Sequence, residues 1–212
     1  MNQRAIESEM ESKVRRQKQT KLTCGVGIND APFPVTKKIN GLTKGHRSYN
    51  TWRGIVSRCF NADTKEKFPT YAECTIADEW LYFSNFHKWW RANFREGWVV
   101  DKDLLFPGNK VYSPERCLYI PEELNNFVIS REAKRGPSPI GSTFDSAIGM
   151  YITTISIGKG KKVNIGVHKT AEEAYAAWLD AKLKLAERFK PVCDEIHPQL
   201  YDSLLTKIRS IK

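Results

Sequence analysis

Apolar residues recur along this chain in three rhythms, and each predicts a different kind of element. Between residues 48 and 60 (SYNTWRGIVSRCF), Trp52, Ile55, Val56 and Cys59 share one side of a helix, with Ser48 placed as its cap. Arg53 and Arg58 lie off that stripe, where they face water or DNA. A longer helix is expected from an Asp78 cap through EWLYFSNFHKWWRANF, ending before Gly97. Trp80, Phe83, Phe86, Trp90 and Phe94 recur there at steps of three and four, the spacing of a buried face rather than of a platform for stacking bases. His87 on this helix reads as a surface residue, not a metal ligand.

The next rhythm is shorter. Trp98-Val99-Val100 forms an apolar strand that runs into Asp101, Lys102 and Asp103. Pro107-Gly108-Asn109 makes a turn, Cys117 to Ile120 a second strand, and Pro121 opens a short helix carrying Glu122, Glu123, Asn125 and Asn126. Strand, polar cluster, turn, strand and helix is the order of a ββα hairpin, in which a metal or a phosphate can sit between the hairpin's start and the helix.

The third rhythm is strict alternation. Residues 139–144 read as a short strand, 150–157 (MYITTISI) as a second and 162–167 (KVNIGV) as a third, with Gly158-Lys159-Gly160 as the turn. Thr170 with Glu173 three residues on is a capping box for the helix EEAYAAWLDAKLKLAERF. Its Ala174, Trp178, Ala181 and Leu185 stripe is suited to cover one face of a three-stranded sheet. Pro191 is read as the stop of that helix and Pro198 as the start of a last amphipathic one through Leu204, Leu205 and Ile208. The expected fold class is α+β: a helical and ββα N-terminal module, then a three-stranded antiparallel sheet on one helix. The boundaries read as a charged arm over 1–22, a module over 23–130, a basic Gly/Pro linker over 131–138 and a second module over 139–212. In the arm, which reads as a frayed helix or a solvated tail, Arg15, Arg16, Lys18 and Lys21 are candidates for phosphate contact. The GVG at 25–27 lacks the following helix that a dinucleotide fingerprint requires.

Charge sharpens this picture. With 34 Lys and Arg against 24 Asp and Glu in 212 residues, the net charge is +10, which points to a polyanionic partner, foremost nucleic acid. An apolar fraction of 41% and six tryptophans supply a real core and exclude wholesale disorder. No apolar run is long enough to cross a membrane, and the polar N-terminus has no signal core, so a cytoplasmic protein is expected. The five cysteines are odd in number and make no CxxC, which fits a reducing compartment. Cys59, Cys74 and Cys117 read first as buried small hydrophobes, with a structural zinc site as the alternative.

Two resemblances then carry the function. GSTFDSAIGMYITTISIGKGKKVNIGVHKTAEEAYAAWLDAKLKLAERF resembles the Apetala-two type DNA-binding domain over about residues 139–190, through its strand-turn-strand, the IGVHKTAEEAYAAWLDAK passage and the covering helix. That resemblance implies a sheet laid into the major groove of double-stranded DNA, with Tyr151 and Thr153 on the second strand and Lys159, Lys161 and Lys162 at the hairpin holding phosphates. Arg135 in the basic linker joins them. Usual members carry Arg or Trp in these strands where this chain offers Tyr151, Thr153 and Thr154.

YNTWRGIVSRCF, TYAECTIADEWLYFSNFHKWW and VDKDLLFPGNKVYSPERCLYIPEELNN resemble phage-encoded HNH or homing endonuclease-like proteins. The resemblance implies a bacteriophage origin, work in the host cytoplasm and a metal-dependent endonuclease. It places Asp101 at the metal-ligand position, Lys102 at the general-base position, and Asn125 or Asn126 at the helix ligand's position. Gly108, Asn109, Lys110 and the Ser113 to Cys117 run match the loop leading to the family's central Asn, for which this chain has Arg116 or Cys117. None of its four histidines falls in the stretch, and a lysine of ordinary pKa, about 10.4, does not readily accept a proton at neutral pH. Two alternatives stay open. Asp101, Asp103 and Glu122 bind a hard cation such as magnesium or manganese and activate water without histidine. Or the module keeps its shape and has lost the chemistry, with Lys102, Lys110 and Arg116 on phosphates. A third reading, of another class, is an interaction protein that targets a host enzyme.

Overall fold

The computed structural model describes residues 2–15, 21–129, 138–158 and 160–211. Arg16, Lys18, Arg135, Lys159 and the linker up to residue 137 lie outside the described residues. The chain is α+β and divides into two compact units: Met1–Glu96 with Gly108–Leu118, and Gly97–Pro107 with Tyr119–Lys212.

The first unit opens with helix α1 (Gln3–Glu11), capped by Asn2, whose side chain accepts from Ala5 N. The expected arm is, over these residues, a packed helix: Ile6, Met10 and the Glu7 carboxylate are buried. Glu7 tolerates burial because it accepts from the Arg47 backbone N–H at 2.8 Å and from the Arg47 guanidinium at 2.8 to 3.1 Å. Burial alone would raise that carboxyl, yet Arg47 and Gln3 outweigh it and hold the group below its ordinary range. Strands β1 (Thr36–Ile39) and β2 (Leu42–Gly45) form an antiparallel hairpin leading into α2 (Arg47–Phe60).

Helix α2 buries Trp52, Ile55, Val56 and Cys59 as the sequence pattern requires, but its cap is His46, not Ser48. The His46 Nδ1 accepts from Ser48 N at 3.3 Å. A short helix α3 (Ala62–Lys67) and a 3-10 turn follow, and then β3 (Thr75–Ile76). The expected helix from Asp78 to Phe94 is broken. Asp78–Leu81 is a 3-10 turn, Tyr82 is extended, and α4 (Phe83–Asn93) starts after it. The break has a backbone cause: Ile28 donates to Leu81 O at 2.8 Å and accepts from Phe83 N at 2.9 Å, which draws Tyr82 into a parallel bridge.

In the second unit, β4 (Trp98–Asp101) precedes β5 (Val111–Tyr112), which belongs to the first unit and pairs parallel with β3. Strand β4 pairs instead with β6 (Leu118–Pro121), followed at once by α5 (Glu122–Phe127). Next, β7 (Ser142–Asp145), β8 (Met150–Gly158) and β9 (Lys161–His168) make an antiparallel three-stranded sheet in that order. Helix α6 (Ala171–Ala186) covers one face and carries the full capping box, Thr170 and Glu173 each bonding the other's backbone N–H. Ile155, Trp178 and Ile211 form the core between them. Pro191 does not stop α6. It sits in the first turn of α7 (Lys190–Ile196), where a missing N–H costs nothing. Helix α8 (Leu200–Arg209) buries Leu200, Leu204 and Ile208. Among the described residues no helix is long and apolar enough to cross a membrane.

Candidate nucleic-acid interface

The sheet has two unlike faces, set by alternation along β8. Thr153 is 0% exposed and its hydroxyl donates to Ala174 O on α6 at 3.3 Å, so the face bearing Thr153 and Ile155 is the covered one. Tyr151 shares that parity and packs on Phe144, ring centroids 5.1 Å apart. This corrects the sequence assignment: Thr153 faces the helix, and the open face belongs to Ile152, Thr154 and Ser156. Their cross-strand partners on β9 are Val167, Asn164 and Lys162. Strand β7 pairs only with residues 150–153 of β8, so beyond a register shift at Thr153/Thr154 the β8–β9 pair continues as a two-stranded ribbon. Lys161 and Lys162 stand exposed at its turn, and Ile157, Val163 and Ile165 are each more than a third exposed along it.

The ββα order is present, but its polar cluster is occupied with itself. Asp101 Oδ1 accepts from Leu104 N at 2.7 Å and from Asp103 N at 3.1 Å, which closes the turn after β4. Lys102 is buried, and its Nζ lies 3.0 Å from Asp103 Oδ2. Asn126 is exposed on α5. Among the described residues no three His, Cys, Asp or Glu side chains group so as to hold a metal ion. Asp101, Asp103 and Glu122 therefore do not form such a set, nor do the buried Cys59, Cys74 and Cys117. Asp101 Oδ1 is spent on two backbone amides. Lys110, 3.9 Å from Glu73 Oε2, and the exposed Arg116 belong to the first unit, while Asp101, Lys102, Asp103 and Asn126 belong to the second.

Burial, with Asp103 beside it, pushes the Asp101 carboxyl up from 3.8 to about 6. A carboxyl raised in the folded state adds stability that is complete below its unfolded value and is lost as pH rises through the folded one. Asp101→Asn keeps an acceptor for both amides and removes the charge. The wild type is therefore expected to lose stability relative to this variant between about pH 4 and pH 6. Urea midpoints at half-unit steps check this, and parallel curves for the two proteins would refute it.

A second polar cluster escaped the sequence reading. His46 is fully buried and His87 half-buried, in an aromatic surround of Phe33, Phe83 and Trp90. Ser48 Oγ lies 2.8 Å from His46 Nδ1 and 2.9 Å from His87 Nδ1. On the far side of both rings stands Glu11, its Oε1 3.2 Å from His46 Nε2 and 3.6 Å from His87 Nε2. His87, expected at the surface, is thus half-buried among aromatic rings. Burial, with His46 alongside, pushes its imidazole down to about 4. The members come from α1, α2 and α4, at separations no local motif bridges. The one signal in the sequence was two histidines, each beside an aromatic-rich helix.

No protein-family model, no curated protein and no solved structure matches the chain.

Proposed function

We propose that this chain is a double-stranded DNA-binding protein that engages the duplex through the β8–β9 ribbon and the open face of its sheet. In this reading the ββα segment keeps the shape of an HNH module and holds no hydrolytic centre. The observation that carries the proposal is the ribbon: two antiparallel strands, free of β7 beyond Thr153, with exposed lysines at the turn. A two-stranded ribbon is among the few protein elements narrow enough for the major groove. Lys161 and Lys162 would sit on the phosphates flanking it, while Ile152, Thr154 and Val167 offer methyl groups to base edges. The net charge of +10 supplies the long-range attraction. In favour of a silent module, Asp101 is committed to its own turn and Lys102 to Asp103.

Anisotropy of a labelled duplex across a salt series tests this. Affinity should fall with salt at a slope of roughly 0.9 per phosphate neutralised. The double charge reversal Lys161→Glu, Lys162→Glu is expected to reduce that slope by about 2 and the low-salt affinity by at least about tenfold. An unchanged slope would remove the ribbon from the interface, and no binding at low salt would end the proposal.

A further inference from the structure

Two members of the Glu11–His46–Ser48–His87 cluster, Glu11 and His87, line a pocket of about 410 Å³ together with Phe33, Lys88 and Arg91. That volume is of the size small-molecule sites usually have. The hydrogen bonds fix which ring nitrogens carry protons. His46 Nδ1 accepts from Ser48 N as the cap of α2, so it bears no proton. The Ser48 hydroxyl, 2.8 Å away, must then donate its single hydrogen to that nitrogen, and His46 Nε2–H donates to Glu11. With its hydrogen spent, Ser48 Oγ can only accept from His87, whose proton therefore resides on Nδ1. His87 Nε2 is left as a bare lone pair. Glu11 Oε1, 3.6 Å from it, is another acceptor.

His87 Nε2 and Glu11 Oε1, two acceptors side by side at the pocket wall, are complementary to a ligand carrying N–H groups. A cationic ligand is disfavoured, because the same pocket is bordered by Lys88 and Arg91, with Arg91 Nη1 3.8 Å from Glu11 Oε2. Phe33 adds apolar surface to the lining.

We propose that this pocket is a binding site for a small anion bearing N–H donors, the donors meeting His87 Nε2 and Glu11 and the anionic group meeting Lys88 and Arg91. A purine nucleotide has this chemistry, since guanine presents adjacent N–H donors that a carboxylate accepts and the phosphate suits the paired cations. The site is separate from the sheet and does not depend on the DNA proposal.

Titration calorimetry of the full chain with guanosine monophosphate tests it. Saturable binding at one site is expected, with guanosine and inorganic phosphate each at least about tenfold weaker, since each lacks one of the two anchors. His87→Phe should weaken the nucleotide at least about tenfold. Lys88→Ala and Arg91→Ala, on exposed positions of α4, should weaken the nucleotide but leave guanosine unchanged, and they keep the test open if His87→Phe does not fold. Charge reversal at Lys161 and Lys162 should change nothing, which separates this pocket from phosphate attraction by the ribbon. No saturable heat, or affinities that none of the pocket variants moves, would overturn the proposal.

Discussion

Gly141→Ala is expected to destabilise the second unit by about 2–5 kcal/mol, a large effect for a single added methyl group. Two causes act together. Gly141 has φ of +78°, a backbone conformation that costs any other residue. A Cβ there would lie 2.2 Å from Trp178 Cδ1 and 2.4 Å from Cγ, inside the indole that packs with Ile155 and Ile211. Trp178 cannot retreat, because α6 holds it against the sheet with 4% of its surface exposed. The Gly141 carbonyl also accepts from Thr154 N at 3.0 Å, so a shift at this turn displaces the strand that carries the open face. Urea denaturation followed by circular dichroism reads the change, and a loss below about 1 kcal/mol would show that the turn relaxes freely. On the proposed function, DNA affinity should fall with the folded fraction and be regained at lower temperature.

Trp52→Ala should cost the first unit about 3–5 kcal/mol. The indole is 0% exposed, and its Nε1 donates to Trp80 O at 2.7 Å. It stacks on Tyr49 at 5.7 Å and meets Phe83 at 5.5 Å, so its removal opens a cavity at the meeting point of α2 and α4. Trp52→Phe restores much of the volume and none of the hydrogen bond, leaving the Trp80 carbonyl unpaired. Its expected cost is smaller, about 1–3 kcal/mol, and the difference in denaturant midpoints separates packing from hydrogen bonding. Equal costs for the two variants would mean that the hydrogen bond, not the volume, dominates.

How much of this was legible in the sequence depended on whether the deciding contact was local. Helix α6 was readable because Thr170 and Glu173 bond each other's backbone three residues apart. The β8 and β9 strands followed from alternation, but the choice of covered face did not. Parity places Thr153 and Ile155 together, and only the presence of α6 decides that Thr153 turns inward. The break at Tyr82 was invisible because Ile28, 54 residues upstream, imposes it through two backbone hydrogen bonds. Helix α1 was misread as an arm since its buried stripe includes a carboxylate, Glu7, whose partner Arg47 lies 40 residues on. The candidate metal site drew its appeal from three adjacent charged residues, which the fold uses to close a turn and pair a lysine. The pocket cluster was hidden for the opposite reason: Glu11, His46 and His87 are ordinary alone and acquire chemistry only where three helices meet.

Strand β9 has one further consequence. It is an edge of its sheet, paired among the described residues with β8 alone, and Val163, Ile165 and Val167 are 37% to 46% exposed along it. An open apolar edge is a template on which a second chain can add a strand, the first step of aggregation. Lys161 and Lys162 begin that edge and set like charges against each other in parallel, in-register self-pairing, while the register shift at Thr153/Thr154 twists the ribbon away from flatness. Lys161 and Lys162 thus act as gatekeepers against self-association. Neutralising them uncovers the edge, whereas reversing their sign preserves the mutual repulsion and, on the proposed function, removes only the attraction to DNA.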